Sequence, residues 1–300
     1  MPLYLTEAEV GELLTPAEAL AAVEPSFARL AAGEIENAPR ARLAIPDGVF
    51  AVMPCVDRGL GYAGLKTYAW TPDGTPFLVV LMSLDEPKVE AIIEADRLGQ
   101  LRTAAASAVA AKHLARDGAT SLGVIGCGRQ GASHVTALRG MFPEVVAYCR
   151  DPKRLAKFCA EHKCTAAESH SEAAACDVVV TATASRDPVV RGEWLQPGAL
   201  VIGVGANEPD ARELDNVVLE RASFVCTDSR AQARLEAGDL IEPVERGVLD
   251  WLEVHELHEV VTGALAGRSD DSDIVLFKSN GIPAWDIAAA VRVVELARAR

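Results

Sequence analysis

Apolar and polar positions change rhythm twice along this chain. Over residues 6–32 the apolar positions recur at helical spacing. They predict a helix broken near Gly11 and restarted at Thr15-Pro16, where threonine caps and proline takes the first helical position. Over residues 38–93 the rhythm shortens to strand-like runs at 40–45, 49–53, 64–70, 77–85 and 89–94. The turns between them, PDG, VDRG, TPDGTP and DEPK, predict an antiparallel meander. An alanine-rich stretch, 96–116, predicts one long helix ending at Asp117-Gly118. From Ala119 the pattern alternates, with strands expected near 121–126, 144–149, 165–167, 177–183, 199–205 and 223–227 and helices between them. A helix over 251–266, a last strand over 273–278 and a terminal helix over 283–299 complete the chain. Alternating strands and helices predict an α/β fold with a doubly wound sheet, beside a smaller mixed domain.

The strand–helix junction at Ser121–Gly131 carries the clearest chemistry. The apolar run 122–125 enters Gly126-Cys127-Gly128-Arg129-Gln130-Gly131, and a helical pattern with Val135, Leu138 and Met141 follows. In that context Gly126 allows the tight turn, Gly128 lets the backbone approach a pyrophosphate, and Gly131 lets helix and strand pack closely. The helix N-terminus offers free N–H groups to the phosphates. A Rossmann-type dinucleotide site is therefore expected here. The ribose selector belongs at the end of the next strand, where an acid suits NAD and an arginine suits NADP. That position holds Cys149-Arg150, so NADP(H) is expected ahead of NAD(H). The alternative is that Asp151 reaches the ribose and Arg150 is a surface residue. Thr181-Ala182-Thr183 close another strand where its carboxyl end should meet the cofactor.

Composition narrows the function classes. Three hundred residues suit two domains, and the net charge of −14 argues against a nucleic-acid partner. The N-terminus lacks the basic segment of a signal peptide, and no apolar run approaches the length of a membrane span. The seven cysteines are odd in number and scattered, which suits a reducing cytoplasm better than a disulfide framework. Cys159, His162 and Cys164 lack a fourth ligand, and His255 and His258 lie on a glutamate-rich stretch, so no metal is expected.

Several segments together carry a resemblance. They are VMPC (52–55), GLKTY (64–68), QLRTAAASAVAAKHLA (100–115), VIGCGRQGASH (124–134), GVGANEPDARELD (203–215) and LFKSNGIPAWDIAAA (276–290). With these motifs the chain closely resembles the ornithine cyclodeaminase/mu-crystallin family, along essentially its whole length. The resemblance implies a Rossmann domain, expected at 118–280, and a mixed substrate-binding and dimerisation domain, expected at 1–117 with 281–300. It implies a homodimer joined through the β-rich part. It also implies hydride exchange between a nicotinamide and the α-carbon of a small amino or imino acid. Arg129, Gln130 and Gly205 join the cofactor set by the same carry-over.

The resemblance places three basic residues at the substrate. Arg40 and Arg102 would hold the carboxylate, an arrangement that suits the guanidinium fork. Arg42, two residues on, is an open alternative to Arg40. Lys66 matches the family's active-site lysine, and desolvation would make it a proton exchanger for the reacting nitrogen. The chain departs from the cyclodeaminases at Asn207, where they carry an aspartate thought to act as a base. An amide cannot take a proton at neutral pH, although Asp210 could substitute. The expectation is therefore a reductase of a cyclic ketimine such as pyrroline-2-carboxylate or piperideine-2-carboxylate. A cyclodeaminase, an alanine-dehydrogenase-like enzyme and a non-catalytic binding protein are its rivals.

Overall fold

The computed structural model describes residues 2–300. The chain divides into two compact units, one running to Ala106 and completed by Gly281–Arg300, the other formed by Ser107–Asn280. The division falls inside the long helix Asp96–Leu114 rather than after it. The second half of that helix is tied to the second unit, since Ser107 Oγ lies 2.9 Å from His134 Nε2.

The first unit is built on a seven-stranded mixed sheet. The expected meander is present as Gly48–Asp57, Tyr62–Trp70, Phe77–Ser83 and Val89–Glu94, paired antiparallel in sequence order. Ala41–Ile45 and Ile35–Asn37 both pair with Gly48–Asp57, on its first and last halves. Leu3–Leu5 adds a parallel edge strand against Val89–Glu94. The strands at 3–5 and 35–37 are too short to show periodicity in the sequence. The first helix, Glu7–Leu13, runs through Gly11 and stops at Leu14. A capping box of Thr6 and Glu9 outweighs the cost of one exposed glycine, about 1 kcal/mol. Pro16–Ala31 starts at Thr15 as expected.

The terminal helix Pro283–Arg298 lies against the strands of this sheet and against Pro16–Ala31. Gly64 makes the close approach to the sheet possible, because a Cβ there would stand 2.6 Å from Ile287 Cδ1. Phe27 and Trp285, both buried, pack ring to ring at 5.7 Å between the two helices. Side chains alternate along a strand, so Lys66 shares the face of Gly64 and points toward the same helix.

The second unit is an eight-stranded parallel sheet. Its order is Thr165–Ala166, Glu144–Tyr148, Ser121–Ile125, Val178–Thr181, Leu200–Gly203, Ile274–Lys278, Ala222–Thr227 and Val254–Glu256. The first three elements run outward from Ser121–Ile125 in one direction, and the chain then returns to that strand's other side at Val178–Thr181. That reversal opens a crevice at the carboxyl ends of these two strands. The core beneath it is aliphatic, with Val179, Val201, Leu214 and Leu276 among its buried members. Residues 251–266 depart from the expected helix: Val254–Glu256 is an edge strand paired with Val225–Thr227, and only Leu257–Val261 is helical. Pairing to the sheet edge overrides helix propensity there. Among the described residues, no helix is long and apolar enough to cross a membrane.

Candidate active site

The crevice of the second unit is a cleft of about 650 Å³. One wall is Ile125, Gly126, Cys127 and Gly128, and the facing wall runs from Ala182 to Val189. Gly126 has φ of +117°, and a Cβ there would stand 2.4 Å from the Ala182 carbonyl oxygen, so only glycine fits. Gly131 stands outside the lining, on the buried side of the first turn of the helix Arg129–Leu138. A Cβ at Gly131 would sit 2.0 Å from the Gly126 oxygen, which fits the packing role read from the motif. Gly128 caps that helix without a side-chain hydrogen bond, leaving its first N–H groups to a ligand. The nearest atom to a Cβ on Gly128 is the Arg154 guanidinium at 3.6 Å, so the turn is open and faces a cation. Arg129 and Gln130 occupy the first turn of the helix outside the cleft lining.

The end of the second strand completes the cleft with Tyr148, Cys149, Arg150 and Asp151. The Asp151 carboxylate caps the helix Pro152–His162, accepting from the N–H groups of Lys153 at 2.9 Å and Arg154 at 3.2 Å. Tyr148 packs against His170 with the rings tilted by 60° and their centroids 4.4 Å apart, to form an aromatic flank. Burial, helped by Arg150, holds His170 below the usual histidine range. An open glycine turn, an uncapped helix start, two arginines and an aromatic flank fit a dinucleotide well. Arg154 was missed in the sequence. It reaches back from the next helix to give its Nε proton to the Cys127 carbonyl at 2.8 Å. The cluster of Arg150, Lys153 and Arg154 was its only signal.

The three residues at the end of Val178–Thr181 divide. Ala182 and Thr183 line the cleft, while Thr181 is fully buried and donates its hydroxyl to Glu213 at 2.9 Å. Glu213 also accepts from Thr183 N–H and Oγ1, both at 2.7 Å, from Gly205 N–H at 2.7 Å and from Ala206 N–H at 3.2 Å. Gly205 therefore braces the strand ends and stands outside the cleft lining. Burial raises the Glu213 carboxyl above its ordinary value. Lys278, also buried, lies 3.1 Å from Asp239 and donates to the Ala206 carbonyl at 2.6 Å.

In the first unit the predicted basic residues come together. Lys66, paired in register with Met53 and Val79, is buried, with its Nζ 3.3 Å from Asp286 Oδ1. Arg102 donates its Nε proton to the same oxygen at 2.9 Å. Asp286, on the terminal helix, was missed, although it is the single charge in the sequence PAWDIAAAV. Arg102 Nη1 is buried without a hydrogen-bond partner. Gly281, at φ of +77°, gives that nitrogen room, since a Cβ there would lie 2.6 Å from it. Arg40 is buried and gives its Nε proton to Met53 Sδ at 3.3 Å, whereas Arg42 is exposed on the edge strand Ala41–Ile45. Burial lowers Lys66 from 10.5 to about 8. Asp286 opposes that fall, and the cations Arg102 and Arg40 add to it.

Asn207 is half-buried in the loop after Leu200–Gly203. Asp210 is exposed and ion-paired with Arg186. Among the described residues the seven cysteines are free thiols, and no group of His, Cys, Asp or Glu is arranged to hold a metal ion.

The chain is similar to known proteins along essentially its whole length. The model of the "Ornithine cyclodeaminase/mu-crystallin family" matches residues 2–300. An alanine dehydrogenase of Archaeoglobus fulgidus is 36% identical, over 98% of this chain and 94% of its own. A Delta(1)-pyrroline-2-carboxylate/Delta(1)-piperideine-2-carboxylate reductase of Azospirillum brasilense is also 36% identical, over 94% of this chain and 92% of its own. The structure of Thermococcus litoralis Delta(1)-pyrroline-2-carboxylate reductase in complex with NADH and L-proline superposes with a TM-score of 0.94. It is 28% identical and covers 99% of this chain and 98% of its own.

Proposed function

The chain belongs to the ornithine cyclodeaminase/mu-crystallin family, and on that footing we propose that it reduces a small α-imino acid with a nicotinamide dinucleotide. The substrate class is a cyclic ketimine such as pyrroline-2-carboxylate or piperideine-2-carboxylate. The observation that carries this reading is the buried pair Lys66 and Arg102 on one Asp286 oxygen, with an Arg102 nitrogen still unpartnered. A bound reduced nicotinamide supplies the hydride. Arg102, with Arg40, takes the substrate carboxylate through charge-assisted hydrogen bonds. Lys66, with its pKa near 8, is protonated at neutral pH and gives its proton to the imine nitrogen as the carbon receives hydride. The C=N bond becomes CH–NH, and Lys66 regains its proton from solvent. Asn207 orients the nitrogen or a water and cannot serve as a base.

Within the same reading, NADP(H) is the preferred cofactor. Arg150 lies in the cleft beside the Cys149 thiol, and the adjacent carboxylate, Asp151, is engaged in capping a helix. The chain acts as a homodimer through the first unit, whose sheet exposes Leu43, Trp70 and Met82. A light-scattering mass of 31.8 kDa at micromolar concentration would exclude that assembly.

Absorbance at 340 nm tests the chemistry. NADPH should be oxidised by pyrroline-2-carboxylate or piperideine-2-carboxylate, and Arg150→Ala should weaken NADPH more than NADH. Ammonia released from ornithine at a comparable rate would replace this reading with cyclodeamination. NADPH oxidation by pyruvate with ammonia, but by no cyclic imine, would replace it with reductive amination. Tenfold tighter binding of NADH than of NADPH would overturn the cofactor preference.

A further inference from the structure

We propose that Asp286 is the positioning residue of this site: one carboxylate oxygen holds Lys66 and Arg102 side by side and leaves Arg102 Nη1, buried and without a hydrogen-bond partner, for the substrate carboxylate. The inference rests on the imino-acid reading above, and deepens it by naming what sets the two cations.

The helix that carries Asp286 gives no packing reason for an acid. Its neighbours Ala284, Trp285, Ile287, Ala288 and Ala289 are buried apolar side chains, and Asp286 itself is 0% exposed. Burying a carboxylate costs several kcal/mol unless charge and hydrogen bonds answer it. Here the answer is two cations on one oxygen, Lys66 at 3.3 Å and Arg102 at 2.9 Å, while Oδ2 is buried without a partner. Arginine–carboxylate pairs are frequently bidentate, with two parallel N–H groups on the two oxygens. Arg102 instead meets Asp286 through Nε and keeps Nη1 unengaged. Two glycines keep the space around the cations: a Cβ at Gly99 would lie 3.2 Å from Lys66 Nζ, and one at Gly281 would lie 2.6 Å from Arg102 Nη1.

The charge around Lys66 makes the same assignment. Arg102 faces it from the long helix and Arg40 from the residue ahead of an edge strand, and both disfavour its protonated form. Cys55, on the neighbouring strand, is a neutral thiol pushed up to about 12 by burial, with Asp57 and Asp286 adding to the rise. From the other flanking strand Phe77 presents its ring 5.3 Å from Nζ. Of these groups near Lys66, Asp286 is the carboxylate that opposes loss of the proton. Without it, two arginines and burial would act on Lys66 unopposed.

The isosteric variant Asp286→Asn tests the assignment through a readout that needs no substrate. Competitive acetylation of Lys66 with acetic anhydride across pH, read by peptide mass spectrometry, should place its titration near 8 in the wild type. In Asp286→Asn the midpoint should fall by one unit or more. The alkaline limb of kcat/KM for imine reduction should move by the same amount. An unchanged Lys66 midpoint overturns the proposal. If Asp286→Asn loses its cooperative urea transition, Arg102→Met serves instead. Removing one of the two cations on Asp286 should raise the Lys66 midpoint, and a fall or no change overturns the proposal. A wild type that reduces no imino acid defeats the functional reading alone, because the Lys66 titration still reports on Asp286.

Discussion

Each unit of the molecule buries a lysine, and the two are answered in opposite ways. Lys278 is enclosed by Asp239 at 3.1 Å, by the Ala206 and Gly203 carbonyls, and by the charge of Glu213 nearby. Those carboxylates are themselves bonded by backbone: Asp239 accepts the N–H groups of Glu213 and Leu214, and Glu213 gathers two strand ends. Lys66 shares a single carboxylate with Arg102, stands within the field of Arg40, and has unpartnered polar atoms beside it. The first cluster is negative and its carboxylates gather backbone N–H groups, with Asp239 Oδ2 met by the Lys278 charge rather than by a hydrogen bond, which suits a brace. The second is cationic and unsatisfied, which suits a site awaiting an anion. Burial and residue type are alike, so it is the balance of the neighbours that separates structure from chemistry.

That contrast can be broken by the same substitution at both places. Lys66→Met should lower imine reduction by a factor on the order of 10²–10⁴, the usual worth of a positioned proton donor. Its urea-unfolding free energy should equal or exceed that of the wild type, since Arg102 still answers Asp286 and one desolvated charge is gone. Lys278→Met should do the reverse. It leaves Asp239 and Glu213 buried without their cation, so stability should fall by about 3–5 kcal/mol. A Lys278→Met protein as stable as the wild type would erase the distinction. So would a Lys66→Met protein that keeps full turnover.

The two regions also differ in how far the sequence discloses them. The dinucleotide cleft is made by backbone, so its demands appear as local spacing: a positive φ at Gly126 and a close helix at Gly131 leave glycines in a row. The doubly wound order follows from the same alternation of strands and helices. The substrate cluster is made by side chains at positions 40, 66, 102 and 286, from elements far apart in the chain. Three of them were reached only through family resemblance. Asp286 was not reached at all, because an acid on an apolar helix has meaning only beside what it touches. Glu213 and Arg154 escaped for the same reason, since each acts by reaching across to another strand end. The strand at 254–256 escaped because its stretch favours helix until a sheet edge pairs with it. Thr181 and Thr183 looked equivalent, and only the fold sends one inward and the other to the cleft.

The smallest effect sharpens the comparison most, because it isolates the proton on Lys66. Its folded pKa, about 8, lies below the 10.5 expected of an unfolded lysine. Between those values the unfolded chain binds more protons than the folded one, so this group makes stability rise with pH across that window. Below pH 8 both states are protonated, and the cost of a buried ammonium is carried in full. The gain between pH 8 and pH 9 should be about 1 kcal/mol, from the value of one pKa unit and the fraction titrated. Lys66→Met removes the group and should flatten that part of the stability curve, so the difference between variant and wild type shrinks by the same amount over the same interval. Urea denaturation of both proteins at pH 7, 8, 9 and 10 measures it. Parallel curves for the two would mean that Lys66 titrates like an ordinary surface lysine, and its separation from the brace at Lys278 would then rest on geometry alone.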